Sequence, residues 1–155
     1  MAGKRLLIVA HAPSDNTRRL AESALRGASH PDLSAVETFW IPPLEAGPDD
    51  VLAADAILLG TTENLGYMSG ALKDFFDRCY YPVLELKQGL PCALYVRAGM
   101  DGTGTRRAVE TILTGLRWNW VQEPLVLRGP WQDAFAEQVE ELGLYMAAGL
   151  DSGVL

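Results

Sequence analysis

Cysteine is scarce in this 155-residue chain: Cys79 and Cys92 are its only two, with neither CxxC spacing nor a disulfide framework. That excludes a disulfide-stapled secreted scaffold and leads us to expect buried, unpaired thiols and a cytoplasmic setting. Histidine is equally rare, at two residues, and no group of His, Cys and carboxylates has metal-ligand spacing, so no metal centre is expected. No apolar run approaches the roughly 20 residues that span a bilayer. The stretch Met1-Ala2-Gly3-Lys4-Arg5 leads into five apolar residues, Leu6 to Ala10, before His11 and Pro13. That is too short for the core of a signal peptide. Basic residues are the minority, 13 against 20 acidic, for a formal net charge of −7. An acidic domain repels polyphosphate, so neither nucleic acid nor membrane is an expected partner.

What the chain has is apolar content, 48%, with 15 Gly and 9 Pro. These values fit one folded domain over residues 1–155. Leu6 to Ala10 is a continuous apolar run, as suits a strand covered on both faces of a parallel sheet. Ala56 to Leu59, closed by Gly60, is a second such run, Cys92 to Val96 a third, and Val121 to Leu127, broken by Pro124, a fourth. The more polar Ala35 to Ile41 reads as an edge strand. Helical stripes lie between: Leu20, Ala21, Ala24, Leu25 and Ala28; Met68, Leu72, Phe75, Phe76 and Cys79; Val109, Ile112, Leu113 and Leu116; Phe135, Val139, Leu142 and Met146. Pro48-Asp49-Asp50 opens a further short helix. Alternating strands and helices predict an α/β doubly wound sheet, a three-layer sandwich with five parallel strands in the flavodoxin-like order 2-1-3-4-5. A phospho-receiver of this architecture would need acids ending its first and third strands. Here those strands end in Ala10-His11 and Gly60-Thr61.

Ligands in such a sheet lie beyond the carboxyl ends of the strands. Three loops therefore matter. The first, His11 to Thr17, offers Ser14, Asn16 and Thr17 beside a helix N-terminus, a combination that suits a phosphate monoester; Ser14 or Asn16 also reads as a plain helix cap. His11 either donates to the phosphate or simply packs. The second, Thr61 to Met68, is polar, holds Gly66 and ends in Tyr67, which suits the edge of a planar heterocycle. The third, Ala98 to Thr105, carries Gly99, Gly102 and Gly104, which free the backbone for close approach to a ligand.

Gly60-Thr61-Thr62-Glu63-Asn64-Leu65-Gly66-Tyr67-Met68-Ser69-Gly70-Ala71-Leu72-Lys73-Asp74-Phe75-Phe76-Asp77-Arg78 resembles the flavin-ring loop and following helix of flavodoxin-like NAD(P)H:quinone oxidoreductases and NADPH-dependent FMN reductases. Ser14-Asp15-Asn16-Thr17 resembles their phosphate loop. The resemblance implies FMN, with its phosphate at Ser14, Asn16 and Thr17. It sets the ring near Thr61, Thr62, Asn64, Leu65, Gly66 and Tyr67, with Gly99 and Gly102 contributing. Two positions depart from the pattern. Asp15 stands where the family often has glycine, and a carboxylate beside a phosphate is repulsive unless it points away. Thr62 stands where a proline is usual.

Arg18-Arg19 and Arg106-Arg107 fall in the first turns of two helices, against the helix dipole. They are either an anion-attracting rim for phosphate or pyridine nucleotide, or surface arginines paired with Asp15, Glu22, Asp101 or Glu110. Trp118 and Trp120, two apart, face one side, as core or as a subunit contact. The chemistry implied is electron transfer from NAD(P)H through FMN to a quinone or similar small acceptor. Flavin N5 carries that chemistry, and no side chain acts as catalyst beyond Tyr67 on the substrate side. The alternatives are a flavodoxin-type carrier and a domain that has lost FMN. A homodimer or homotetramer is expected, drawing contact area from Trp40, Tyr67, Tyr80, Tyr81, Trp118 and Trp131.

Overall fold

Leu6 to Ala10 sends alternate side chains into two apolar layers. Leu7 and Val9 join one core and Leu6, Ile8 and Ala10 the other, so this strand has no wet face. The computed structural model describes residues 3–155, so Met1 and Ala2 of the N-terminal stretch lie outside it. In chain order its elements are β1 (Lys4–Ala10), α1 (Asp15–Ala28), β2 (Val36–Ile41), α2 (Pro48–Leu52), β3 (Ala56–Asn64), β4 (Tyr67–Met68), α3 (Gly70–Val83), β5 (Pro91–Ala98), α4 (Thr103–Leu116), β6 (Asn119–Trp120), β7 (Leu125–Arg128) and α5 (Asp133–Ser152).

The parallel strands run β2-β1-β3-β5, and β6 and β7 share the fifth place beside β5. This is the flavodoxin-like order predicted above. The register pairs Leu6 with Ala56 and Ile57 with Cys92, which keeps each apolar set on its own face. Residues of α2, α3 and α4 cover one face, including Val51, Phe75, Phe76 and Leu113. Residues of α1 and α5 cover the other, including Leu20, Ala24, Val139 and Met146. Both cysteines are buried and free in the first core. Burial pushes the Cys79 thiol up to about 11 and that of Cys92 to about 12, so neither is a nucleophile at neutral pH.

Three local expectations need correction. The third strand does not stop at Gly60 but continues to Asn64 and folds back as β4, pairing Asn64 with Tyr67. The two residues between have positive φ, Leu65 at 54° and Gly66 at 77°, the signature of a tight primed hairpin turn. Met68 consequently belongs to β4 and not to the helical stripe; the helix begins at Gly70, capped by Ser69, whose hydroxyl accepts from the Leu72 amide. The fifth strand is split. Pro124 has no N–H to give to a ladder, and residues 121–124 leave the sheet between β6 and β7. Trp118 and Trp120 both pack into the first core.

Helices α1 and α5 cross unusually closely. A Cβ on Gly143 would collide with the carbonyl of Ala24, and one on Gly27 with the carbonyl of Glu140. Gly143→Ala gains about 1 kcal/mol of helix propensity. The atom it meets is backbone and cannot rotate aside, so overpacking at about 1–3 kcal/mol outweighs that gain. Urea unfolding should show a net loss of stability. Gly70→Ala, where an added Cβ meets nothing, should instead gain about 0.4–1 kcal/mol.

Candidate functional site

The strand order reverses between β1 and β3, so their carboxyl ends frame the crevice where ligands of such sheets sit. The loop after β1 is bound to β3 through the His11 amide, which donates to the Gly60 carbonyl at 3.0 Å. It ends in a reciprocal cap on α1. The Thr17 amide donates to Ser14 Oγ at 3.2 Å and the Ser14 amide to Thr17 Oγ1 at 2.9 Å. Thr17 Oγ1 also donates to the Ser14 carbonyl at 3.1 Å, which leaves Ser14 Oγ as donor in the 2.8 Å contact between the hydroxyls. Both hydroxyl protons are therefore committed inside the cap. The Asp15 and Asn16 amides, at the positive end of α1, have no acceptor among the described residues, and both side chains are exposed. His11 is half-buried, and burial lowers its pKa, so it is a neutral donor at pH 7.

Thr61 is buried; its hydroxyl accepts from the Ser69 amide at 3.0 Å and donates to the Thr62 carbonyl, which fixes the base of the hairpin. Thr62 Oγ1 donates to Asn64 Oδ1 at 2.8 Å. At the tip, Leu65 is fully exposed in the left-handed region, a conformation costing about 1–2 kcal/mol for a residue with a Cβ. Gly66 and the partly exposed Tyr67 follow it. Glu63 joins this hairpin to the loop after β5. Its Oε1 accepts from the Met100 amide at 2.9 Å and its Oε2 from the Gly102 amide at 2.8 Å. Gly102 is buried with φ of 71°, and its N–H is spent on Glu63; Gly99 is exposed, with open space where a Cβ would stand. The second and third loops thus form one clamped unit, with Met100 and Leu65 both exposed on it.

The four predicted rim arginines have different fates. Arg19 donates to Asp133 Oδ1 at 2.8 Å and lies over the Trp131 ring at 5.6 Å. Arg19 and the Trp131 indole N–H hold the Asp133 carboxyl below its usual pKa. Arg106 pairs with Glu110 at 3.5 Å. Arg18 and Arg107 have no acidic partner among the described residues. Two more arginines end the strands on this edge. Arg97 donates to the Ala98 and Leu127 carbonyls and lies 5.0 Å over Phe135; Arg128 donates to the Asp101 carbonyl at 2.6 Å. The charge rim is therefore wider than the four helix-start arginines. Sequence reasoning missed Glu63, Arg97, Arg128 and the Trp131–Asp133 pair. Only the acid opening α5 carried a local signal, as a favourable charge at a helix N-terminus.

Of the aromatics considered for subunit contact, Trp118 is buried, Trp131 packs edge-on against Phe135, and Tyr80 lies against Gly115. Trp40 donates its indole N–H to the Ala10 carbonyl at 3.1 Å, which leaves Tyr67 and Tyr81 as the exposed pair. No helix among the described residues is long and apolar enough to cross a membrane.

No family model matches the chain. It is 30% identical over 113 residues to a protein of Aquifex aeolicus (strain VF5) named flavodoxin; the match covers 72% of this chain and 60% of that protein. Two solved structures show the fold. An archaeal flavodoxin superposes with a TM-score of 0.78 at 19% identity, covering 94% of this chain and 98% of its own. A flavodoxin, WrbA-like protein of Agrobacterium tumefaciens gives 0.75 at 17%, covering 97% and 99%. The chain has the flavodoxin-like fold.

The clamp makes two local predictions. Glu63→Gln leaves one acceptor oxygen for two amides. It should speed hydrogen exchange at Met100 or Gly102, leave Thr17 protected, and cost about 0.5–1.5 kcal/mol in unfolding. Leu65→Asn, which tolerates the left-handed turn, should raise stability by up to about 1 kcal/mol in thermal unfolding.

Proposed function

We propose that the chain binds FMN at this carboxyl edge and passes electrons through it. The observation that carries the reading is that the first loop is bonded to β3 through His11 and Gly60, and the second to the third through Glu63 to Met100 and Gly102, around the crevice at the strand reversal. The residues fit the group. The unpartnered Asp15 and Asn16 amides suit a phosphate, Leu65, Gly66 and Gly99 leave open backbone for a planar ring, and Asn64 and Tyr67 add an exposed amide and an aromatic side chain beside it. FMN, when bound, supplies the redox chemistry. The protein's part is to hold and orient the group: α1 neutralises phosphate charge, and the hairpin and third loop fix the ring and exclude water from one side. Asp15 opposes the phosphate, and the Ser14–Thr17 cap must open for either hydroxyl to donate to it.

Within this reading we favour an electron carrier. Leu65, Tyr67 and Met100 give an apolar, exposed margin to the ring site on an otherwise acidic chain, and the relative matched at 30% identity is named flavodoxin. A second reading, NAD(P)H oxidation with reduction of a quinone or similar small acceptor, draws on the unpaired Arg18 and Arg107 and on Arg97 and Arg128 beyond them. A homodimer or homotetramer belongs to that second reading, and a cytoplasmic setting goes with either.

Titration of the apo-protein with FMN, FAD and riboflavin, followed by flavin fluorescence, should give tightest binding for FMN; equal affinity for riboflavin would remove the phosphate loop from the proposal. Asp15→Gly should tighten FMN about two- to tenfold, through loss of a partly screened like charge. Steady-state NAD(P)H oxidation with a quinone separates the two readings. Turnover, with the NADPH KM raised by Arg107→Gln and kcat unchanged, would favour the enzyme. Absence of turnover in the flavin-loaded protein would favour the carrier.

A further inference from the structure

Beside the first loop, on its β2 flank, lies a hollow of about 320 Å³ lined by Ala10, His11, Ala12, Pro13, Arg18, Trp40 and Pro42. It shares His11, Ala12 and Pro13 with the first loop but not Ser14, Asn16 or Thr17, so it adjoins the proposed phosphate position without including those three residues. Its chemistry is unlike that of the other surface hollows. Those include Glu110 and Glu123, Asp50, Glu123 and Glu141, or Asp55 in their walls. This one has no carboxylate, in a chain of net charge −7. Its two polar side chains, Arg18 and His11, are both donors toward an anion. The Trp40 indole N–H is already given to Ala10, so Trp40 offers the hollow only its apolar ring surface. Alanine and proline supply the remainder.

Arg18, which the pyridine-nucleotide reading counts in its rim, has no acidic partner among the described residues. It stands in the first turn of α1, where a cation is disfavoured by the helix dipole. Asp15 and Glu22, its helical neighbours three and four positions away, are not within ion-pair distance. Its neighbour Arg19 offsets the same cost through Asp133. An unpaired guanidinium and a half-buried imidazole over an apolar floor match a ligand with one anionic end and one flat apolar end. Small-molecule sites run from about 300 to 1,000 Å³, so about 320 Å³ takes one or two rings and not a dinucleotide.

We propose that this hollow binds a small aromatic carboxylate, its carboxylate held by Arg18 and His11 and its ring against Trp40. The site does not depend on the flavin reading. Benzoate is the probe, benzamide its uncharged counterpart and acetate its ringless one, each titrated into the 155-residue protein while the Trp40 indole N–H resonance is followed. Benzoate should shift that resonance with a Kd on the order of 1 mM or tighter. Benzamide and acetate should each bind at least about tenfold more weakly, and Arg18→Gln should weaken benzoate by about tenfold through loss of a charge-assisted bond. No shift with benzoate, equal shifts with benzoate and benzamide, or unchanged binding in Arg18→Gln would each overturn the proposal. Displacement of benzoate by FMN would also overturn it, since the hollow would then be part of the flavin site; retention of benzoate by an FMN-loaded protein would support it.

Discussion

The site depends on how closely α1 and α5 approach each other. Gly27 and Gly143 let each helix accept a backbone carbonyl of the other where a side chain would otherwise stand. Leu20, Ala21 and Ala24 then reach the sheet together with Val139, Met146 and Ala147. That contact fixes the axis of α1, and with it the point above β1 at which its first amides emerge. It also brings the start of α5 alongside α1, so Asp133 meets Arg19. One packing constraint thus sets both an anion-directed helix end and the neutralisation of one of its two arginines.

The two helix ends that face the crevice are not equivalent. At α4 two amides are given to carboxylates, Gly102 to Glu63 and Thr103 to Asp101, while those of Gly104 and Thr105 have no acceptor among the described residues. Two negative groups there also offset part of the dipole cost of Arg106 and Arg107. At α1 the cap satisfies the Thr17 amide and leaves those of Asp15 and Asn16 open. Both ends keep two open amides, and the Glu63 and Asp101 carboxylates make α4 the less favourable of the two for an anion.

Much of the architecture was legible because strands buried on both faces must be apolar throughout. Leu6 to Ala10 and Cys92 to Val96 announced themselves, and strand order followed from the alternation with helices. The hairpin was hidden. Thr61 to Asn64 is polar, and its extended form is fixed by a Thr61 hydroxyl bonded to Ser69, eight residues on. Nor does a leucine advertise a left-handed turn. Glu63 and its amide partners lie 37 and 39 residues apart, and Arg19 and Asp133 lie 114 apart, distances at which no local pattern operates. Of the candidate site, the placement of three loops was readable and the bonds that join them were not.

The segment that carried the family resemblance turns out to act mostly through packing. Leu72, Phe75 and Phe76 fill the first core. Lys73 pairs with Asp77, which raises the lysine pKa, and Arg78 pairs with Asp74 while donating to the Ala46 and Pro43 carbonyls. Arg78 thereby ties the connection after β2 to α3, on the face opposite α1 and α5. Such residues are recognisable because a helix packed on two elements tolerates few alternatives. The loops at the carboxyl edge lie at the surface and are held by a few specific hydrogen bonds, not by packing on two elements. Asp15 and Thr62, the two departures from the resemblance, both lie in those loops. The fold is therefore a firmer inference from this segment than the acceptor, because the side chains that would choose the acceptor lie outside it.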